Sequence, residues 1–313
     1  MANYNFSTPK ELGSDEHFTT DKDLDMDVMG NALYLVYKLK GVNDLFAARA
    51  TQTEDRQGNI TEELTWGTPV NTDQKTDRSP AIACYNNTLY VFWNADDSHR
   101  INYGTMDPNT LKIQYLDKLE GVKSTSGVAA TVFGDKLYLN FLGDGEETRI
   151  YQTTFDGSKW DHVEPIKENQ ESVDAPVLAA INGDISGIYS VHRSSHNVLY
   201  WASTDTGQYD DWSDDNEVES PCKKVETDHR PGGGAWNNGF VVIHNGDKKR
   251  KHKLCLVHLN VEEDYWYGGD EIGNGFQSED APAFCNLNDT AYLVFADDVT
   301  SKKIMYSYSN SIF

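Results

Sequence analysis

The densest set of side chains able to do chemistry is Asp228–His229–Arg230, followed at once by the run Gly232–Gly233–Gly234. A histidine beside a carboxylate can act as a general base, and an arginine can steady a developing anion. If the chain is an enzyme, these three are its expected catalytic residues. Adjacent residues on a strand point to opposite sides, however, so sequence neighbours need not meet. A second kind of chemistry is spread along the chain in Arg78, Trp93, Arg100, Arg149, Tyr189, His192, Trp201, Trp236 and His244. Planar charged groups hydrogen-bond sugar hydroxyls in pairs, and an aromatic face suits the apolar C–H side of a sugar ring. These nine are the candidate ligand contacts. The chain has no nucleophile elbow, HExxH, phosphate loop or dinucleotide fingerprint. No carboxylate spacing matches an EF-hand loop. Neither a cofactor nor a metal is expected.

A repeat must position these groups. From Ser79 to Met106 the chain reads as a small apolar strand, an Asn86–Asn87 turn, an alternating strand, a polar loop and a third strand. Five more copies follow this pattern. With Leu89 as anchor, the counterparts are Leu33, Leu137, Ile185, Phe240 and Ala291. The turns before them hold Gly30–Asn31, Gly134–Asp135, Gly183–Asp184, Asn237–Asn238 and Asn288–Asp289. Such residues tolerate the positive φ that tight hairpins need. Four places past each anchor stands a ring: Tyr37, Trp93, Phe141, Tyr189, His244 and Phe295. These rings alternate in step with Leu89 and Val91, which suits packing between blades. Six units of about fifty residues with four antiparallel strands each predict an all-β, six-bladed β-propeller. The last unit lacks a fourth strand before Phe313. Phe6–Pro9 resembles Trp66–Pro69, so the N-terminal segment is expected to complete the last blade and close the ring. Closure removes exposed sheet edges. The blades are expected at 24–77, 78–126, 127–173, 174–228, 229–279 and 280–313 plus 1–23, in one domain spanning 1–313.

Bulk properties narrow the partners. Twenty-seven Lys and Arg stand against 50 Asp and Glu, a formal charge of -23. Nucleic acid and anionic membrane surfaces are therefore disfavoured. The basic run Lys248–Lys249–Arg250–Lys251 reads as a solvated loop. Cys84, Cys222, Cys255 and Cys285 are too scattered for a zinc site or a disulfide framework. No stretch is long and apolar enough for a membrane span, so no insertion is expected. The N-terminus lacks a signal-peptide pattern, which points to the cytosol or to another route of export.

The unit Gly127 to Trp160 resembles the blades of propeller lectins and of sialidase-like propellers. Ser203–Thr204–Asp205–Thr206–Gly207 leading to Trp212, and Thr154–Phe155–Asp156–Gly157 leading to Trp160, are similar to the sialidase Asp box. In that family the boxes are structural turns away from the active site. The resemblance implies the propeller fold. Sialidase activity would also need an arginine triad, a tyrosine–glutamate pair and an Arg-Ile-Pro signature, and no such tripeptide occurs. In the similar six-bladed sugar-binding propellers, fucose sites pair an Arg and a Glu with aromatic rings between blades. The expected function is lectin-like carbohydrate binding on one loop face or at the channel mouth, for a sugar or another small polar ligand. The alternative is a cofactor-free enzyme with its pocket at that mouth, a glycan hydrolase or lyase or a small-molecule cyclase. A protein-interaction scaffold is the third class.

Overall fold

The computed structural model describes residues 4–145, 147–167, 170–183, 185–220, 223–246, 252–273, 275–297 and 302–312. Asp184, Cys222, the basic run at 248–251 and the acid at 298 lie outside them. Six antiparallel sheets form the blades of a propeller. Blade one is Asp25–Met29, Ala32–Lys38, Asp44–Glu54 and Ile60–Trp66, and its third strand also pairs with Val70–Lys75. Blade two is Ala81–Tyr85, Thr88–Asn94, Arg100–Met106 and Ile113–Lys123. Blade three is Val128–Phe133, Lys136–Leu142, Ile150–Phe155 and Glu164–Pro165. Blade four is Val177–Ile181, Gly187–Arg193, Leu199–Thr204 and Asn216–Glu217. Blade five is Gly232–Trp236, Gly239–Asn245, Leu254–Asn260 and Tyr265–Glu271. Blade six is Ala283–Leu287, Thr290–Ala296, Ile304–Ser309 and the N-terminal strand Lys10–Glu11.

The six innermost strands touch one another in sequence and then close the circle, blade six against blade one. The expected N-terminal closure is present. Lys10 pairs with Tyr306 and Glu11 with Met305, and the Ser7 N–H donates to the Tyr308 carbonyl at 2.9 Å. Asn86 and Asn87 take φ of 49° and 56°, and Asn288 and Asp289 take 51° and 59°, as two-residue hairpins require. Blade four departs from the expected register. Its first strand ends at Ile181 and its second begins at Gly187, so the connection is longer than a tight turn. Ile185 is exposed, and Ile188 takes the anchor position. The ring four places on is therefore His192, not Tyr189.

The core lies between blades, in six apolar clusters. Alternate residues of each second strand face the preceding and the following blade. Leu89, Val91 and Trp93 pack toward blade one, while Phe92 packs toward blade three. Each fully buried side chain of this size contributes about 1.5–3 kcal/mol. The run of glycines in blade five also follows from packing. A Cβ on Gly232 would collide with the Pro282 carbonyl, and one on Gly234 would come within 2.8 Å of the Phe284 carbonyl.

Candidate functional site

The loops entering the first strands are built alike. Thr20, Thr76, Ser124, Ser172, Thr227 and Ser278 are all buried, and each hydroxyl donates to the carbonyl two residues on. In return each accepts an N–H from that same residue. These hydroxyl turns fix the next residue of every blade at the axis: Asp23, Ser79, Gly127, Ala175, Arg230 and Ala281. The signal was in the sequence as a Ser or Thr thirteen places before each anchor as first aligned.

Arg230 crosses the axis and closes the mouth. Its terminal nitrogens donate to Asp23 Oδ2 at 3.3 Å, to the Val128 carbonyl at 3.3 Å and to the Pro176 carbonyl at 3.1 Å. Asp23 also accepts from Ser79 Oγ at 2.7 Å and from the Ala281 N–H at 2.7 Å. One arginine and one aspartate thus bind all six blades together. Beneath them is a space of about 50 Å³, and below that a channel cavity of about 390 Å³ lined by Asp25, Asp27, Cys84, Cys285 and Asn286 among others. Asp25 accepts from the Ile82 N–H and Asp27 from the Cys84 N–H, so both satisfy the free edge of the next inner strand. Burial pushes Asp25 up to about 7 and Asp27 up to about 6.

The three expected catalytic residues part company. Arg230 is the plug. Asp228 accepts from Asn197 Nδ2 at 2.9 Å. The His229 ring lies 5.9 Å from that of His252. His252 in turn lies 3.2 Å from Glu279, so Asp228, His229 and Arg230 each face a different partner. Of the expected ligand contacts, Trp93 is 1% exposed and its ring is sealed in the core against an edge of Tyr115. Trp236 and Tyr189 are also buried, the latter stacked on the half-buried Trp201. His192 is buried 3.2 Å from Asp215, and His244 is buried with Nδ1 3.0 Å from the Asn245 carbonyl. Arg78 stays beside Asp77 at 3.7 Å. Arg100 is exposed at the start of its strand.

Arg149 is placed differently. Its Nε and a terminal nitrogen grip both oxygens of Glu147 at 2.8 and 2.7 Å, and its guanidinium lies 5.5 Å from the Tyr151 ring centre. This set stands beside a pocket of about 520 Å³ between blades two and three, lined by Glu120–Lys123, Phe141, Asp144, Glu147, Tyr151 and Asp161–Val163. The bonds from Arg149 hold the Glu147 carboxyl down at about 2. His99 and Lys123 approach Asp144 at 3.3 and 3.7 Å, and His99 lowers its pKa. His162 sits 2.8 Å from Asp161. Each cation at the pocket is already matched to a carboxylate, and Phe141 stacks on Tyr151 with ring centres 6.1 Å apart. Glu147 and Tyr151 were missed from sequence. Their signal was the period-two spacing of Glu147, Arg149 and Tyr151, which puts all three on one side of an extended chain.

Neither a protein-family model nor a curated protein matches the chain. Solved structures do. AofleA from Arthrobotrys oligospora shares 10% identity over 98% of this chain and 90% of its own, with a TM-score of 0.67. The SapL1 lectin in complex with alpha methyl fucoside shares 10% over 95% and 96%, with a TM-score of 0.66. The Hadza microbial sialidase Hz136 shares 11% over 96% and 68%, with a TM-score of 0.64. At such identities the likeness is one of fold, and it bears out the resemblance to lectin and sialidase propellers.

Proposed function

We propose that this protein is a carbohydrate-binding propeller that holds a neutral sugar in the pocket between blades two and three. The observation that carries the reading is the Glu147–Arg149–Tyr151 set at an open pocket. Glu147 fixes the guanidinium before any ligand arrives, which limits the ordering entropy of binding. The ion pair keeps lone pairs and N–H groups for hydroxyls, and Tyr151 supplies an apolar face. No cation is left over for a sugar carboxylate, and four acids line the pocket, so an acidic sugar is disfavoured. The SapL1 lectin carries a fucoside on a fold of this kind, which makes fucosides the first probe.

A glycan array with the wild type, Arg149→Ala and Tyr151→Ala tests this. The wild type should retain neutral glycans, and each variant should lose about tenfold or more in affinity, as expected for a charged hydrogen-bond pair or an aromatic platform. Tyr265→Ala, on the outer strand of blade five, should bind as the wild type does. A wild type that binds no glycan, or two pocket variants that bind undiminished, would refute the proposal.

A further inference from the structure

One of the six contacts between blades is built unlike the other five. In each second strand, the residue two past the anchor lies in the same layer as the residue three past the anchor of the preceding blade. Five of these pairs are apolar and fully buried: Val36 with Val91, Phe92 with Leu139, Val191 with Val242, Ile243 with Leu293, and Val294 with Leu35. Between blades three and four the pair is Asn140 and Ser190, and both are completely buried.

More polar groups surround this pair. Gln152 pairs in register with Asn140, donates to the Gly207 carbonyl and accepts from the Trp212 indole. Buried Gln170 donates to the Ser213 carbonyl at 2.9 Å, and His192 stands 3.2 Å from Asp215. Within the set, both amide atoms of Asn140, Ser190 Oγ, His192 Nδ1, Asp215 Oδ1 and Gln170 Oε1 have no partner among the described residues. Buried polar atoms are normally paired. An apolar pair fits this layer five times over, so packing does not call for the polar one. Departures of this kind concentrate at functional sites.

The unpaired atoms specify what would satisfy them. Gln170 Oε1, Asp215 Oδ1 and Asn140 Oδ1 need donors, Asn140 Nδ2 needs an acceptor, and Ser190 Oγ and His192 Nδ1 serve either way. A hydroxyl donates and accepts at once. A carboxylate or phosphate would be repelled by Asp215, and an ammonium would leave Asn140 Nδ2 unmet. We propose that the seam between blades three and four is a second binding site, for a small neutral polyhydroxylated molecule, separate from the pocket between blades two and three. The seam reaches solvent at Asp215, whose side chain is 17% exposed. Blades three and four belong to separate sheets and are joined there by the Lys167 N–H on the Tyr209 carbonyl and by the Gln152 and Gln170 amides, so a guest would part a few hydrogen bonds and no sheet.

Thermal unfolding of the full chain, titrated with glycerol, erythritol and myo-inositol in one arm and galactose and fucose in another, tests the proposal. Sucrose controls for general exclusion, which raises Tm without saturating. At about a hundredfold excess over Kd, a matching guest should raise Tm by roughly 5 °C in a saturable manner. The arm that saturates tells polyol from monosaccharide. The rise should vanish in Asn140→Val/Ser190→Val, which restores the pair used elsewhere, and persist in Arg149→Ala, which disables only the other pocket. If the double variant does not fold, His192→Phe, with a ring found at that place in other blades, takes over the comparison. No saturable rise with any compound, a rise that the seam variants keep, or a crystal structure grown with the best compound that shows water alone at Asn140 would overturn the proposal.

Discussion

Arg230→Ala gives the sharpest test of how this ring is held, because the catalytic and the structural reading of Arg230 predict opposite results. The guanidinium contacts one carboxylate and two carbonyls, at 3.1 to 3.3 Å. A hydrogen bond to a charged group contributes about 1.5–3 kcal/mol, and these distances lie at the long end of the range. Arg230 and Asp23 side chains are 13% and 19% exposed, so water at the mouth recovers part of the loss. Asp23 also keeps its bonds from Ser79 and Ala281. The expected destabilisation is about 2–4 kcal/mol, well below the sum of three bonds, or roughly 3–6 °C in Tm for a chain of this length. Urea unfolding followed by tryptophan fluorescence measures it. Asp23→Asn with Arg230→Met should show a coupling of about 1–2 kcal/mol, since the two residues share a network. A catalytic arginine held under strain would give the reverse, lost function with unchanged or higher stability. An Arg230→Ala midpoint within about 0.5 kcal/mol of the wild type would refute the plug.

Two further outcomes follow from the closure and from the channel. Deleting residues 1–12 removes the strand on Ile304–Ser309 and the buried Tyr4 and Leu12. It should lower stability by about 3–6 kcal/mol and promote self-association through the bared edge, read by urea midpoints and size-exclusion chromatography. A monomer of unchanged midpoint would show that the N-terminal strand does not hold the ring. The raised Asp25 and Asp27 keep their protons where the unfolded chain has lost them. Their contribution to stability is full below about pH 4 and is lost as pH rises to about 7. Asp25→Asn should therefore flatten the fall in urea midpoint across that window, and an identical slope in wild type and variant would contradict the burial argument.

The architecture was readable because its signals are strong and repeated. Paired turn residues and period-two strands recur along the chain, and Phe6–Pro9 announced the closing strand. Outer strands were read less well. Four strands were expected in every blade, but the fourth is reduced to Glu164–Pro165 in blade three and to Asn216–Glu217 in blade four, and Glu219–Ser220 with Lys223–Lys224 forms a separate two-stranded sheet. Outer strands bury least, so their pattern is faint. The blade-four register slipped because Gly183–Asp184 has the chemistry of a tight turn, while the actual connection runs on to Gly187. That slip put Gly187 rather than Ser190 opposite Asn140 and concealed the polar seam. Among the expected ligand contacts, Arg149 stands beside an open pocket, whereas Trp93 was chosen by type against its own column, which marked it as core. Asp228–His229–Arg230 was conspicuous for a reason of assembly. Arg230 is the longest group available to span the axis, and the glycines beside it make room for blade six.

A repeated frame turns each departure from the repeat into a question that partners and burial can answer. Arg230 departs from the small or acidic residues at its place, but its terminal nitrogens are bonded to blades one, three and four, so its work is internal. Arg149 departs by standing 44% exposed with its charge already fixed by Glu147. A surface ion pair adds little to stability, so Arg149→Ala tests the proposed binding with little cost to the fold. Asn140 and Ser190 depart by being buried and unmet, which neither stability nor surface recognition accounts for. The same amino-acid chemistry thus has three meanings in one ring. Sequence composition cannot separate them, because the deciding variable is whether the polar atoms are satisfied from within.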